Sequence, residues 1–527
     1  MALPQKVIIG SRGSDLALWQ ANRVKQLLEE TGIKSEIKII STRGDRVQDL
    51  SFDKIEGKGF FTKEIEEELL EGKIDLAVHS HKDLPTVSPE GLCIAAVSAR
   101  EDASDVLLIR EERIDEKKLF CLPADAVVGT SSFRRKLLLK AWRIDIDVRD
   151  LRGNVPTRVN KLREGNYDAI LLAWAGIKRL NLNLDGLRVI KLAHREFPPA
   201  PAQGVLAIQT RENDVALIEA LQGLNHNSVK SCVSLERKVL NLLEGGCQTP
   251  LGIICKETRD EDDKLIYDIH LAWASSVKSP AVFMHYQTPV LEATPDKIVQ
   301  ALRNIKPCRI FITRNQRQGN FFSRILIDAG FVVHASSLIE MRAVKSSEPP
   351  DADWVFFSSK HAVDFYLKAG YALKGKKIGA ISKATAQMIR QAGFVCDFIG
   401  YSTDTALTGK QFAGRVGRSN VVFPIARGSM KTIQKQLPHA QVLDLVVYET
   451  INLSKEIPEF DLPVFTSPSN VDAFFQTKPG KIPAHAVAMG GATAARLRHY
   501  GVRKIQEPDA FDDLGLIMAV LRLNSGL

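Results

Sequence analysis

Val127-Val128-Gly129-Thr130-Ser131-Ser132-Phe133-Arg134-Arg135-Lys136 and Asp147-Val148-Arg149-Asp150-Leu151-Arg152-Gly153-Asn154-Val155-Pro156-Thr157-Arg158 carry one message twice. Each is a short apolar strand, a polar turn and the opening of a helix. A Thr/Ser cap starts the first helix. Asn154 caps the second, with Pro156 in its first turn and Gly165 as its stop. Helix N-termini carry partial positive charge, so each cation there costs roughly 0.3–1 kcal/mol. Arg134, Arg135, Arg152 and Arg158 at two such starts make sense when a polyanion lies between them, held by arginine forks and free backbone N–H groups. Arginines turned into solvent are the plainer reading, but the recurrence within 30 residues favours an anion site.

Outward from these stretches, the first 220 residues alternate apolar strands with amphipathic helices. Val7–Ile9 is a strand, followed by a helix on Leu16, Trp19, Val24, Leu27 and Leu28 that Gly32 stops. Ile37–Ile40 and Leu76–Val78 are strands around a helix capped by Thr62. Strands near Val127–Val128, Asp147–Arg149 and Ala169–Leu172 restart the pattern. This alternation predicts an α/β chain with two parallel-sheet lobes and a ligand at the strand C-terminal ends between them. Residues 220–305 read instead as a small α+β unit: a helix over Val229–Leu243, strands at Gly252–Cys255, Leu265–Ala272 and Ala281–Tyr286, and a helix from Pro295.

From Arg309 the chain repeats itself. Trp354-Val355-Phe356-Phe357-Ser358-Ser359-Lys360-His361-Ala362-Val363-Asp364-Phe365 matches Pro463-Val464-Phe465-Thr466-Ser467-Pro468-Ser469-Asn470-Val471-Asp472-Ala473-Phe474. Ile381-Ser382-Lys383-Ala384-Thr385-Ala386 matches Met489-Gly490-Gly491-Ala492-Thr493-Ala494. Two copies of a strand, Ser/Thr turn and helix imply two similar α/β lobes.

A chain of 527 residues needs several cores. Its 45% apolar and 25% charged content is that of a soluble globular protein, and a net charge of +9 suits acidic ligands. No lysine/arginine block supports a nucleic-acid partner, and no apolar run supports a membrane one. The first residues enter a strand without a secretory apolar core, and seven cysteines lack CxxC spacing. A reducing, cytoplasmic setting is expected, without a disulfide framework or zinc knuckle.

Leu76-Ala77-Val78-His79-Ser80-His81-Lys82-Asp83-Leu84-Pro85 ends a strand in a charged turn, where α/β folds place catalytic groups. Asp83 beside Lys82 is a carboxylate tuned by its neighbour or a turn cap. His79 and His81 share a side, but no third ligand stands at metal spacing and no metal is expected. Gly57-Lys58-Gly59-Phe60-Phe61-Thr62-Lys63 lacks P-loop spacing and reads as a mobile loop over an anion or as a phosphate cradle. Cys247, in Glu244-Gly245-Gly246-Cys247-Gln248-Thr249-Pro250, is equally well a buried small hydrophobe or an accessible thiol.

Together these motifs resemble hydroxymethylbilane synthase (porphobilinogen deaminase) over residues 6–305, through Ser11-Arg12-Gly13-Ser14 to Trp19-Gln20, the His79–Asp83 turn, Val128–Arg135, Leu151–Arg158 and the Cys247 loop. The repeat half is similar to uroporphyrinogen-III synthase, through Thr313-Arg314, the Ser358 and Ser467 turns, the two Ala-Thr-Ala segments and Val447-Tyr448-Glu449-Thr450. The resemblance implies two periplasmic-binding-protein-like lobes plus a small α+β domain, followed by two Rossmann/flavodoxin-like α/β lobes. The expected bounds are 1–305, with lobes at about 1–103 plus 197–219 and 104–196 and the α+β domain at 220–305. The second half spans 307–527, with lobes at about 307–345 plus 450–527 and 346–449.

The resemblance also implies roles. Cys247 would carry a dipyrromethane cofactor through a thioether, with Lys82, Ser132, Arg134, Arg135 and Arg158 around it. Asp83 would protonate the departing amine of porphobilinogen and stabilise the cation left behind. Arg12, Ser14, Gln20, Lys58, Phe61, Arg152 and Arg179 would hold the growing polycarboxylate. In the second half Tyr448 would assist loss of the hydroxyl of hydroxymethylbilane, or simply pack in its strand. Ser358, Thr385, Ser467 and Thr493 would bind substrate carboxylates. The small-molecule partners implied are porphobilinogen and hydroxymethylbilane, with a monomer expected. Ala202 stands where the family commonly has Gly, which would stiffen a hinge, and His81 where it has an apolar residue. Two other readings compete: a non-enzymatic anion-binding protein, and a deaminase carrying a non-catalytic C-terminal module.

Overall fold

The computed structural model describes residues 6–42, 62–243, 249–260, 262–276, 278–317, 319–345, 348–401 and 405–526. Their strands form five sheets. The first runs Ser35–Ile39, Val7–Ser11, Leu76–Ser80, Leu206–Arg211, Leu92–Val97 in spatial order. The second runs Asp147–Arg149, Val127–Gly129, Ala169–Ala173, Asp105–Arg110, Leu187–Lys191. The expectation of purely parallel lobes is corrected here. Leu206–Arg211 is antiparallel to both its neighbours, and so is Asp105–Arg110. These two strands belong to segments that leave one sheet for the other, and a returning segment enters a sheet against the grain of its βα units. The parallel part of each sheet, with its helix openings, is where the alternation placed it.

The inner strands Leu76–Ser80, Leu206–Arg211, Asp105–Arg110 and Ala169–Ala173 are buried on both faces, as sheets covered by helices require. Val7, Ile9, Leu76, Val78, Leu206 and Ile208 pack with Ala21, Val24 and Leu28 of helix Asp15–Glu30. Val106, Leu108, Ile170 and Leu172 pack with Val159 and Leu162 of helix Val155–Arg163. The third sheet is antiparallel, Leu251–Arg259, Leu265–Trp273, Val282–Thr288, beside helices Asn227–Leu242 and Thr294–Arg303.

Two further sheets carry the repeat. One orders Val332–Ala335, Arg309–Ile312, Leu462–Phe465, His485–Ala488, Lys504–Gln506. The other orders Ile339–Ala343, Val442–Asn452, Val421–Ala426, Trp354–Phe357, Lys377–Ala380, Phe398–Ile399. Helix Lys360–Lys368 opens on Ser359 and helix Pro468–Thr477 on Ser467, at φ −162°, ψ 160° and φ −160°, ψ 157°. Each hydroxyl accepts the N–H three residues on. The caps therefore align Ser359 with Ser467, one residue from the register read in the first repeat segment. The second segment keeps its register, with Thr385 and Thr493 both in first helical turns.

Contacts divide the chain into two compact units. One comprises Met1–Ile310, Arg317–Val333 and Gln506–Leu527, the other Phe311–Gln316 and His334–Ile505. Helices Phe321–Asp328 and Asp513–Ser525 thus belong to the first unit, where the latter packs on strand Val282–Thr288. Among the described residues no helix is long and apolar enough to cross a membrane.

Candidate active site

The two cationic helix openings stand side by side. Strands Val127–Gly129 and Asp147–Arg149 are parallel neighbours, so helices Phe133–Trp142 and Val155–Arg163 start at the same sheet edge. Ser131 stitches the turns together, its hydroxyl accepting from the Leu151 N–H at 3.0 Å and donating to the Leu151 carbonyl at 2.9 Å. Ser132 and Asn154 cap as their sequences predict, accepting from the N–H groups of Arg135 and Thr157. A cleft of about 100 Å³ lies beside these openings, lined by Leu16, Ser80, Lys82, Arg135, Arg158, Arg179, Gln203 and Gly204 among others. Among the described residues, four of its lining side chains are cationic and none is acidic.

The organising group is one that sequence reading missed. Asp105, fully buried at the start of its strand, accepts from Arg134 Nη1, from Arg135 Nη2 at 2.7 Å and Nε at 3.2 Å, and from Gln203 Nε2 at 2.9 Å. Burial would raise its carboxyl, but the two guanidinium groups outweigh burial and hold it well below the usual carboxylate range. Arg134 spends its remaining reach on the Pro198 carbonyl, 2.9 Å away, whereas Arg135 lines the cleft. Gln203 relays the arrangement onward, accepting from Lys82 Nζ at 3.3 Å. The only sequence signal was an acidic residue directly ahead of Val106-Leu107-Leu108-Ile109.

Lys82 is pushed down to about 8, first by burial and then by Arg135 and Arg134, against the pull of Asp83. Arg158 is lowered to about 10 by burial and by Arg135, again opposed by Asp83, and its Nε donates to the Gly153 carbonyl at 2.8 Å. Arg179 donates to the Gly204 carbonyl at 2.7 Å and lies over the Trp19 ring. Cations depressed this way gain on meeting an anion, which restores the charged form. Asp83 itself is exposed, at the end of the short 3₁₀ turn His81–Asp83 that follows strand Leu76–Ser80.

Gln20 is buried and donates to the Ser80 hydroxyl at 2.8 Å, tying the first helix to the strand end that leads into the His81–Asp83 turn. Ser14 precedes that helix as its N-cap residue, and Arg12 and Arg152 are half-buried in the turns ahead of the first helix and of helix Val155–Arg163. Lys58, Phe61 and Cys247 lie outside the described residues. Ala202 holds φ 62° in the left-handed region, with its N–H donating to the buried Glu236 carboxylate at 2.7 Å. At Gly204, φ +86°, a Cβ would sit 2.3 Å from the Glu101 carbonyl oxygen, so only glycine fits.

His79 and His81 serve the core. His79 Nε2 donates to Gln209 at 3.1 Å, and burial lowers its imidazole to about 4. Burial also depresses His81, whose carbonyl accepts from Arg237. Both stay neutral when folded, while an unfolded histidine takes up a proton below about pH 6.5. Protons therefore favour the unfolded chain. The stability due to His79, about 3 kcal/mol, is complete above pH 6.5 and lost as pH falls towards 4. Thermal melts from pH 7 to 4 should fall more steeply for the natural chain than for His79→Gln; equal slopes would refute this.

In the repeat half, Tyr448 is buried with its ring stacked on Phe365 at 5.2 Å and its Oη 3.3 Å from Ser359 Oγ. Ser358 is half-buried just past strand Trp354–Phe357. Thr385 is buried with Oγ1 3.2 Å from Ser382 Oγ, and Thr493 is buried in the first turn of its helix. Ser467 is engaged by Asn470 through both its N–H and its side chain.

Comparison with known proteins bears on each half. Residues 7–219 match the family model "Porphobilinogen deaminase, dipyromethane cofactor binding domain", and residues 320–518 match "Uroporphyrinogen-III synthase HemD". Porphobilinogen deaminase of Sulfurimonas denitrificans is 46% identical over 253 residues, 47% of this chain and 79% of that protein. That of Syntrophomonas wolfei is 47% identical over 250 residues, 47% of this chain and 80% of its own length. Among solved structures, uroporphyrinogen-III synthetase from Helicobacter pylori aligns at 19% identity and a TM-score of 0.32, covering 41% of this chain and 99% of that one. The chain belongs to the porphobilinogen deaminase family, and residues 320–518 of the same polypeptide match the uroporphyrinogen-III synthase family model.

Proposed function

We propose that the cationic cleft beside Asp83 assembles four porphobilinogens into hydroxymethylbilane, and that the repeat half closes this product to uroporphyrinogen III. The observation that carries the first step is the cleft itself: Lys82, Arg135, Arg158 and Arg179 line it, with no acidic side chain among the described residues there. That donor set fits a dipyrromethane, whose side chains are carboxylates, and Cys247 is the residue to which it would be joined. When bound, the group supplies the pyrrole carbon on which the chain is extended.

The protein's residues do the rest. Lys82, Arg135, Arg158 and Arg179 hold acetate and propionate groups, with Arg12, Ser14, Gln20, Lys58, Phe61, Arg152 and Ser132 as further contacts. Arg134 acts behind Arg135 by sharing Asp105. Asp83 gives a proton to the amine of porphobilinogen, which leaves as ammonia, and its carboxylate then faces the cation left on the substrate. After the new carbon–carbon bond forms, Asp83 takes up the proton shed by the pyrrole carbon that made it, which discharges the cation and restores the acid for the next porphobilinogen. In the repeat half, hydroxymethylbilane loses water and closes with inversion of its last ring. Tyr448 is assigned to the departing hydroxyl, and Ser358, Thr385, Ser467 and Thr493 to substrate carboxylates.

The test is to incubate the purified chain with porphobilinogen, oxidise the products and separate the uroporphyrin isomers. Type III should predominate. Type I alone would refute the second activity, and no porphyrin the first. Cys247→Ser should fold yet carry no covalent pyrrole mass in intact-protein mass spectrometry; an adduct on that variant would remove Cys247 from its role.

A further inference from the structure

The small antiparallel sheet gathers two histidines and a carboxylate that the deaminase and synthase chemistry leaves unused. Its register sets His270 directly opposite His285, and Asp268 two residues from His270 on the same face. The imidazoles stack at 4.4 Å with 8° between their planes. Both Nε2 atoms converge on one carboxylate, His270 at 3.1 Å from Asp268 Oδ2 and His285 at 2.6 Å from Oδ1. One atom from each residue lies within 4.8 Å of the others. That spacing comes within reach of a first-row dication, whose nitrogen and oxygen ligands stand roughly 2.0–2.2 Å from the metal, once the stacked rings turn so that both Nε2 lone pairs meet at the ion.

A second observation concerns the far sides of the rings. The Nδ1 atoms of His270 and His285 are buried and make no hydrogen bond, and His285 as a whole is 8% exposed. His285 Nδ1 lies 3.4 Å from Asp509 Oδ2. A neutral His285 that donates Nε2–H to Asp268 would turn its Nδ1 lone pair towards the Asp509 carboxylate, an electrostatically poor arrangement. A metal on Nε2 moves the ring proton to Nδ1, and that N–H then faces Asp509. A carboxylate behind a ligating histidine is the usual outer partner of such sites.

We propose that Asp268, His270 and His285 bind one divalent transition metal of the zinc class, with Asp509 orienting His285 from behind. Two imidazoles and a carboxylate suit zinc or cobalt over magnesium or calcium, which prefer all-oxygen sites. The bound ion fastens the C-terminal helix to the small domain. Asp509 shortly precedes helix Asp513–Ser525, whose Arg522 donates to the His285 carbonyl.

The full chain, stripped with a chelator, is titrated with Co²⁺. The expected result is one equivalent bound with visible d–d bands, no thiolate charge-transfer absorption, and displacement by Zn²⁺. His270→Ala and His285→Ala should each weaken binding at least about 100-fold, and Asp509→Asn about 10- to 100-fold, with far-UV circular dichroism unchanged. No saturable binding, binding that survives both histidine variants, or thiolate bands would overturn the site. So would a melting temperature indifferent to Zn²⁺. If circular dichroism shows a histidine variant misfolded, Asp509→Asn decides alone, and unchanged Co²⁺ affinity there counts against the proposal.

Discussion

Asp83→Ala should retain its covalent pyrrole mass yet turn over porphobilinogen at least about 10³-fold more slowly, combining the losses typical of a removed general acid and a removed charge partner. The side chain is exposed at the end of a turn, so its loss should leave stability within about 0.5 kcal/mol. Its surroundings explain why so much rests on it. It is the carboxylate that acts on both Lys82 and Arg158, two of the four cations that line the cleft. A carboxylate there meets two needs at once. It keeps the cleft from repelling the cation that forms when ammonia leaves, and it stands where the pyrrole N–H groups must be held while carboxylate arms bind the arginines. Asp83→Asn keeps the shape and removes the charge, so it should fail nearly as badly as alanine. Asp83→Glu should retain measurable turnover. Single-turnover kinetics on each variant decide the matter, and an alanine variant keeping more than a tenth of natural activity would strip Asp83 of this role.

What the sequence disclosed follows from the range of each interaction. Caps are local, so Ser132 and Asn154 were readable as helix openings from their own neighbours, whereas Ser359, the cap that corresponds to Ser467, was one residue out of the register read. The antiparallel strands Asp105–Arg110 and Leu206–Arg211 were not, because their direction is set by partners far along the chain. The same limit hid Asp105, whose partners are Arg134, Arg135 and Gln203. Charge at a helix start showed that anionic groups belonged there. It did not show that part of the answer was an internal carboxylate. For Arg134 the anion is the protein's own, while Arg135 divides itself between Asp105 and the cleft. His270 and His285 escaped notice similarly, since only strand register brings them face to face.

Asp105→Asn should be the most damaging single change in the first two lobes. The substitution keeps the volume but leaves two buried guanidinium groups, 5% and 8% exposed, without their countercharge. Removing one partner of such a cluster typically costs about 3–5 kcal/mol, because the orphaned charge stays buried. The loss is read most directly in the strand that carries Asp105. Native-state hydrogen exchange of the amides in Asp105–Arg110 should quicken by about 10²- to 10³-fold, at roughly 1.4 kcal/mol per tenfold. Turnover should fall as well, since Arg135 and Gln203 lose the atom that aims them and Lys82 loses its relay. A change below about tenfold in exchange would mean the arginines find other partners, and the hub assignment would fail. Replacing Asp105, Arg134 and Arg135 together by apolar residues of similar size should recover much of the stability, because no charge is then left buried. It should recover none of the activity, because Arg135 is the member of that cluster that reaches the cleft. Stability and function separate at this one cluster: the fold needs only that no buried charge be left unpaired, and the reaction needs the charges kept.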